Sequence, residues 1–94
     1  MGSPAARKDD TDDKGHTIAG GCVSEVRING APVAVKGSTM DDGVSITGGV
    51  VSAVRVNGSP IAVKGSTTEP HLKNPHKNEP GTINSGADAV NIGG

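Results

Sequence analysis

Two segments of this chain are nearly identical, and that repeat limits the possible folds more than any other feature. Residues 20–39 read GGCVSEVRINGAPVAVKGST, and residues 48–67 read GGVVSAVRVNGSPIAVKGST. Self-similarity at a fixed spacing is the sequence signature of a repeat architecture, in which one supersecondary unit is used several times. We therefore expect a fold assembled from copies of one short unit.

Each copy has the pattern of a β-hairpin. The segment Val26-Arg27-Ile28 alternates apolar and polar residues, as a half-buried strand does. Asn29-Gly30 follows it, and Asn57-Gly58 holds the same place in the second copy. Both residue types tolerate positive φ, so each pair suits a two-residue type I′ turn between antiparallel strands. The repeat unit is therefore predicted to be a hairpin.

The turn also predicts which residues face each other. A two-residue turn after Ile28 pairs Ile28 with Ala31 and Val26 with Val33. Side chains alternate across a strand, so one face of the hairpin should be apolar and buried. That face is predicted to carry Val26, Ile28, Ala31, Val33 and Val35, with Arg27, Pro32 and Ala34 on the other face, and the second copy supplies Val54, Val56, Ile61 and Val63.

The two ends of the chain look like the halves of a third hairpin. Residues 3–8 read SPAARK and resemble the returning strand of the other copies, whereas residues 88–94 read DAVNIGG and resemble the outgoing strand. The chain stops where the turn should be, so we expect Gly94 to lie near Ser3 and Pro4. The prediction is an all-β ring of three hairpin units with approximate three-fold symmetry, cut open at one turn.

The composition leaves the core of such a fold thin. The 94 residues include no Phe, Tyr or Trp and only one Cys. A chain of this length buries about 60–65% of its unfolded surface. Small domains of this kind need a staple, and one Cys cannot form an internal disulfide. We predict a single domain over residues 1–94. A metal ion or a partner protein would then supply the additional stabilisation that the core lacks.

Charge and hydropathy exclude several classes of partner. The formal net charge is −1 with the signs mixed, which gives no footprint for nucleic acid or for an anionic membrane. No apolar run is long enough for a signal peptide or for stable membrane insertion. A lone Cys also fits folding in a reducing compartment. We therefore expect synthesis in the cytoplasm without a signal peptide.

The histidines and the cysteine make one candidate ligand set. Its members are His16, Cys22, His71 and His76. One thiolate and three imidazoles suit tetrahedral Zn²⁺, and four protein ligands close a site, as in structural centres. The repeat supports this prediction, because Val44 and Val50 stand in the second copy where His16 and Cys22 stand in the first. The alternative is that the histidines are exposed loop residues and Cys22 is a small buried hydrophobe.

Two acidic segments invite a different metal. Residues 9–15 read DDTDDKG, and Asp41-Asp42-Gly43 holds the corresponding place in the second copy. Neither has the spaced ligands or the closing Glu of an EF-hand. We predict that both are solvated loops.

Together these features resemble the PAAR-repeat family. Pro4-Ala5-Ala6-Arg7 is the tetrapeptide that gives the family its name, and the Asn-Gly-x-Pro-x-Ala hairpins and the Cys with three His are similar to that family as well. The resemblance covers the whole chain. The hairpin copies keep the Pro and the second Ala of the tetrapeptide and place Val where the first has Arg7.

Membership of that family would imply a small cone with a metal-bound tip. Such a cone caps and sharpens the trimeric β-helical spike of a contractile injection machine, either a bacterial type VI secretion system or a phage tail. The resemblance implies a structural zinc at the apex, with iron less favoured, a base resting on the spike at one cap per trimer, and no catalytic residues. It also implies a membrane-piercing role, export at the spike tip or a place in the virion tail, and possible effectors or adaptors as partners. Because no toxin domain follows Gly94, the chain resembles the effector-free form.

Two other functions are compatible with the residues alone. A zinc hydrolase would need an open coordination position and a base, for which Glu69 or Glu79 are the candidates. A free-standing metal-stabilised module, for carbohydrate for example, would normally use stacking aromatic residues, which this chain lacks.

Overall fold

A computed structural model of the protein describes residues 3–72 and 78–92, and over these residues the fold is all-β. The described strands are β1 (Ser3–Ala5), β2 (Ile18–Gly20), β3 (Val23–Ile28), β4 (Ala31–Val33), β5 (Thr39–Met40), β6 (Ile46–Gly48), β7 (Val51–Val56), β8 (Ser59–Ile61), β9 (Thr67–Pro70), β10 (Pro80–Thr82) and β11 (Ala87–Ile92). The predicted fold class, a small all-β protein, is confirmed.

The strands pair antiparallel in short ribbons. Strand β3 pairs with β4, β7 with β8, and β1 with β11, while β10, β9 and β6 form a three-stranded sheet and β2 pairs with β5. The first and last described strands thus form one ribbon, in which Ser3 faces Ile92 and Pro4 faces Asn91. This pairing agrees with the expectation that the ends of the chain meet, although Gly94 itself lies outside the described residues.

Both Asn-Gly turns are present as predicted. Asn29 and Gly30 have φ of 53° and 84°, and Asn57 and Gly58 have φ of 51° and 84°. Positive φ at both central residues is the mark of the type I′ turn, whose twist matches that of the flanking strands. The predicted pairing of Ile28 with Ala31 follows from this turn and is confirmed.

The next predicted pair is wrong. Val33 pairs with Val23 and not with Val26, because the register shifts between Val23 and Arg27. Strand β4 has a second neighbour besides β3, because Val33 also forms a bridge with Arg7. The outer strand β3 contains the bulge that accompanies this shift of register. Bulges bend a strand and re-aim its side chains. As a result Val26, predicted to be in the core, is 40% exposed, and Val23 packs against the core instead.

The predicted two-faced hairpin is wrong at a second place. Ala34 was expected on the polar face, yet both Val33 and Ala34 are fully buried. Each packs into a different apolar cluster, so this returning segment lies between two layers of core. The upper cluster contains Ala6, Ile18, Ala34, Met40, Val44, Ile46, Ala62 and Ile83, and the lower cluster contains Ala5, Val33, Ile61 and Val63.

Closed rings of backbone hydrogen bonds join the three returning segments between those clusters. The N–H of Ala6 donates to the carbonyl of Ala62, that of Ala34 to Ala6, and that of Ala62 to Ala34, each at 3.0 Å. A second ring runs from the N–H groups of Lys8, Lys36 and Lys64 to the carbonyls of Pro32, Pro60 and Pro4 at 2.8–2.9 Å. Only small side chains let three backbones approach so closely, which explains alanine at the buried ring positions.

In the first unit an aspartate, Asp10, makes the backbone hydrogen bond that a serine, Ser38, makes in the second unit. Ser38 Oγ accepts a hydrogen bond from the Val35 N–H at 2.9 Å. Asp10 does the same in the first unit, where its Oδ2 accepts from the Arg7 N–H at 2.7 Å, and its carboxylate also pairs with the Arg7 guanidinium. Ser85 Oγ donates to Asp10 Oδ1 at 3.0 Å. Asp10 therefore ties the start of the chain to a segment near its end.

Candidate metal centre

Loops next to the strands bring the side chains of His71, Asp42 and Asp12 together. His71 comes directly after β9, and Asp42 follows β5. Asp12 bridges to Ile83, next to β10. The Asp12 carboxylate accepts the N–H groups of Lys14 and His16 at 2.9 Å each, so it closes its own loop while its other oxygen points away.

His71 lies between two buried carboxylates. Its Nε2 is 2.6 Å from Asp12 Oδ2, and its Nδ1 is 2.7 Å from Asp42 Oδ2. The side chains of His71 and Asp12 are fully buried, and that of Asp42 is 2% exposed. The backbone is fixed as well, because the His71 N–H donates to the Glu79 carbonyl at 2.9 Å and the His71 carbonyl accepts from the Asn78 N–H at 2.8 Å. Both ring nitrogens therefore face negative oxygens in a dry environment.

Electrostatics favour the charged forms of these groups. Burial opposes the imidazolium, but the hydrogen bonds to Asp42 and Asp12 outweigh it, so the pKa of His71 is raised. For Asp42 burial likewise opposes the charge, and the hydrogen bonds from His71 and from the N–H groups of Leu72 and Val44 prevail, so its pKa is lowered. The charge-assisted contact between His71 and Asp42, together with the hydrogen bond between His71 and Asp12, holds the loops together.

A second histidine lies against the first. The rings of His16 and His71 are stacked with their centroids 4.1 Å apart and their planes 25° apart. His16 Nδ1 is 2.5 Å from Asp41 Oδ1. Each histidine thus has a carboxylate on at least one ring nitrogen, the arrangement that fixes the orientation of metal-binding imidazoles.

One oxygen and two nitrogens converge at this point. Ligand atoms of His16, Asp42 and His71 all lie within 4.8 Å of one another. Imidazole nitrogen and carboxylate oxygen are ordinary ligands of Zn²⁺ and of other divalent first-row metals. By donor chemistry and proximity the three residues fit a metal ion, whose identity the geometry leaves open.

Only part of the predicted ligand set belongs to this group. His16 and His71 are brought together, and His76 lies outside the described residues. Cys22 is half-buried and packs against the upper apolar cluster together with Val50, its counterpart in the repeat. Its Sγ is 3.9 Å from the Gly20 carbonyl oxygen, and burial is the main cause that raises the pKa of its thiol. The structure therefore places Cys22 where a small apolar side chain belongs, apart from the His16–Asp42–His71 group.

Asp12 and Asp42 are the residues that the sequence analysis missed. Both segments were predicted to be solvated loops, which is wrong for these two side chains, since they are almost fully buried against His71. Their neighbours Asp13 and Asp41 do fit the prediction, with side chains 45% exposed. The sequence alone contains no signal for which member of each Asp-Asp pair is buried, because the contact with His71 comes from a distant segment.

A glycine makes room for the buried contact. A Cβ added at Gly81 would overlap Asp12 Oδ2 and would lie 2.8 Å from both Asp12 Cγ and His71 Nε2. By the ladder of backbone hydrogen bonds, Gly81 corresponds to His16 and Val44 in the other two units. The three equivalent positions thus carry an imidazole, an apolar side chain and no side chain, and the missing side chain leaves room for His71.

The two carboxylates considered as hydrolytic bases lie elsewhere. Glu69 Oε1 accepts the Ser45 N–H at 3.1 Å, and Glu79 Oε1 is 3.9 Å from Lys14 Nζ. Among the described residues, neither belongs to the group of possible metal ligands.

Comparison with known proteins adds no identification. No protein-family model, no curated protein and no solved structure matches this chain. Within residues 3–72 and 78–92 there is no helix long and apolar enough to cross a membrane.

Proposed function

We propose that this protein is a structural cap, with no enzymatic activity, that sharpens the trimeric β-helical spike of a contractile injection machine. The machine is a type VI secretion system or a phage tail, and the cap travels at the front of the spike as its membrane-piercing tip. The observation that carries the proposal is the pair of closed hydrogen-bond rings through Ala6, Ala34 and Ala62 and through the three lysine N–H groups. Three segments joined in closed rings support an approximate three-fold axis within one chain, which is the symmetry needed to match a trimer.

Open strand edges support a base that binds the spike. Strands β3, β7 and β11 are each six residues long, and each pairs with one strand in the described part of the chain. An unpaired edge presents a row of N–H and C=O groups that can accept a further strand. Three such edges around one axis suit β-augmentation by the three chains of the spike.

A metal at the opposite end fits the mechanical role. On one side of the hydrogen-bond rings, the lower cluster packs against the hairpin strands. On the other side, the upper cluster includes Val44, which is close in sequence to Asp42 of the His16–Asp42–His71 group. The core has no aromatic residue, so an ion that cross-links three loops is the natural staple for a narrow point. We propose Zn²⁺, with iron less favoured, and the ion would act by coordination alone.

The contacts of the acidic residues favour a structural over a catalytic centre. Glu69 Oε1 accepts the Ser45 N–H and Glu79 Oε1 lies 3.9 Å from Lys14 Nζ, and among the described residues neither belongs to the group of possible metal ligands. A general base must lie within hydrogen-bond reach of the water it activates. The described contacts of these two carboxylates therefore give no support to the rival hydrolase.

The spike interface can be tested with two matched substitutions. Val26 and Leu72 are the exposed large hydrophobic residues of the described chain, at 40% and 63%, and they lie on a base hairpin and beside the apex, respectively. We expect Val26→Lys to weaken binding to a soluble trimeric spike by roughly tenfold or more, because it places a charge in a buried contact. Leu72→Lys should leave the affinity unchanged. Equal effects of the two substitutions, or none from Val26→Lys, would contradict the proposed orientation.

A further inference from the structure

We infer that the apex metal is held by His16, His71 and Asp42 without any thiolate, and that Asp12 is a positioning residue that sets which nitrogen of His71 binds. The inference rests on the proposed structural metal, but it concerns the ligands and not the spike. Its ligand class is a divalent first-row transition ion in a nitrogen- and oxygen-donor site.

The contacts of His71 decide the nitrogen. Asp42 is itself one of the three converging ligands, and it faces Nδ1, whereas Asp12 faces Nε2. An ion shared between Asp42 and His71 must therefore sit on the Nδ1 side. Nε2 keeps its proton and donates it to Asp12, which is the carboxylate–histidine–metal relay that fixes the tautomer and raises the basicity of the ligand.

Asp42 is prepared for this role by its backbone contacts. Its Oδ2 accepts the Leu72 N–H at 3.3 Å, and its Oδ1 accepts the Val44 N–H at 3.4 Å. These long hydrogen bonds orient the carboxylate without consuming all of its lone pairs. In the metal-free protein Oδ2 accepts from His71 Nδ1, and the ion takes the place of that proton.

The surroundings of Cys22 argue against a place in the ligand set. A thiol must lose its proton to bind a metal, and Cys22 packs against the upper apolar cluster, with its Sγ 3.9 Å from the Gly20 carbonyl oxygen. Val50 occupies the same place in the second unit with the same packing. The structure thus treats this position as a hydrophobic one in both copies.

Cobalt provides a test on the unmodified protein. Co²⁺ added to the metal-free chain should give ligand-field absorption without the near-ultraviolet thiolate-to-cobalt charge-transfer band, and Cys22→Val should leave both the spectrum and the affinity unchanged. Valine is the matched replacement because the repeat already carries Val50 at that place. A charge-transfer band, or loss of Co²⁺ binding in Cys22→Val, would overturn the assignment.

Substitution of the acidic residues tests their roles. Asp42→Asn should weaken Zn²⁺ binding by about 100-fold or more through loss of a ligand, and Asp12→Asn by roughly 10- to 100-fold through loss of the oriented partner. Asp13→Asn is the control, since Asp13 lies in the same loop and carries the same charge but is largely exposed. An Asp13 effect as large as that of Asp12 would show that net charge, and not position, is responsible.

A measurement without substitution covers the case in which Asp12→Asn fails to fold. Histidine ¹⁵N chemical shifts of the zinc-loaded wild-type protein should report metal on Nδ1 and a proton on Nε2 of His71. A metal-bound Nε2 would overturn the role of Asp12. Spike binding is measured separately with Val26→Lys. A wrong assignment of the metal ligands would therefore not contradict the proposed cap, and a failure to bind the spike would not contradict the metal ligands.

Discussion

Gly81→Ala is the smallest change that should disrupt the contact between Asp12 and His71. The added Cβ would overlap Asp12 Oδ2 and stand 2.8 Å from both Asp12 Cγ and His71 Nε2, whereas ordinary contacts begin at 3.4 Å. The carboxyl carbon and the imidazole nitrogen must each retreat by about 0.6 Å, which the close packing of the site resists. Gly81 does not lie in the left-handed region, so backbone strain contributes nothing.

The cost follows from the hydrogen bond that is broken. A net contribution of about 1.5–3 kcal/mol is typical for a hydrogen bond to a charged group, and one left unsatisfied in the interior costs at least as much. We therefore expect Gly81→Ala to lower the free energy of unfolding by about 2–3 kcal/mol. For a domain of this size that corresponds to a fall in Tm of roughly 10–20 °C, measured by circular dichroism on metal-free protein.

A double-mutant cycle identifies the cause. Asp12→Ala removes the carboxylate that the new Cβ would overlap, so the cost of Gly81→Ala should be much smaller in the Asp12→Ala background than in the wild type. Additive effects of the two substitutions, or a fall in Tm below about 4 °C for Gly81→Ala alone, would refute the view that Gly81 exists to admit the Asp12–His71 contact.

Three further predictions concern the same end of the molecule. Removal of the metal with a chelator should lower Tm by roughly 10–20 °C, since an ion present at 100 times its Kd stabilises the native state by about 2.7 kcal/mol; an unchanged melting curve would contradict a structural metal. In the metal-free protein, urea denaturation should show that the stability from His71, whose pKa is raised above its ordinary value of 6.5, is complete below about pH 6.5 and is lost as the pH rises through the folded-state pKa. The lowered pKa of Asp42 acts in the opposite direction, so its contribution is complete above about pH 4 and is lost on further acidification; a flat profile between pH 6 and 9 would contradict the buried contact. Finally, the raised pKa of the half-buried Cys22 thiol predicts slow alkylation by iodoacetamide at pH 8, with the same rate in the zinc-loaded and metal-free folded protein, and protection by zinc would identify Cys22 as a ligand.

The features that depend on local residue chemistry could be predicted from the sequence. Asn29-Gly30 and Asn57-Gly58 determine their turns through their own φ preferences, and the repeat predicted the pairing of β1 with β11, in which Ser3 faces Ile92. Val26 was misplaced because the bulge depends on a contact from outside the hairpin, the bridge between Arg7 and Val33. A period-2 pattern contains no information about such a neighbour.

The site was only half predictable, for a related reason. A list of soft ligands finds His16 and His71, but the Asp12–His71 contact joins residues 59 positions apart, and no local pattern distinguishes Asp12 from the exposed Asp13. Charged residues in a turn usually face water, so these aspartates were assigned to solvent. Cys22 was predicted to be a ligand from its thiol chemistry and from its contrast with Val50, and in the structure both residues pack against the upper apolar cluster.

We propose that one chain provides a three-fold surface for a trimeric spike, and the mass of the complex between the chain and the spike tests this proposal. Native mass spectrometry of the 9.3 kDa protein mixed in excess with a soluble β-helical spike trimer should show the trimer plus one copy of the chain, at every excess tested. A complex with three copies, one for each spike subunit, would contradict the ring arrangement, and a trimer that binds no copy would contradict the proposed function.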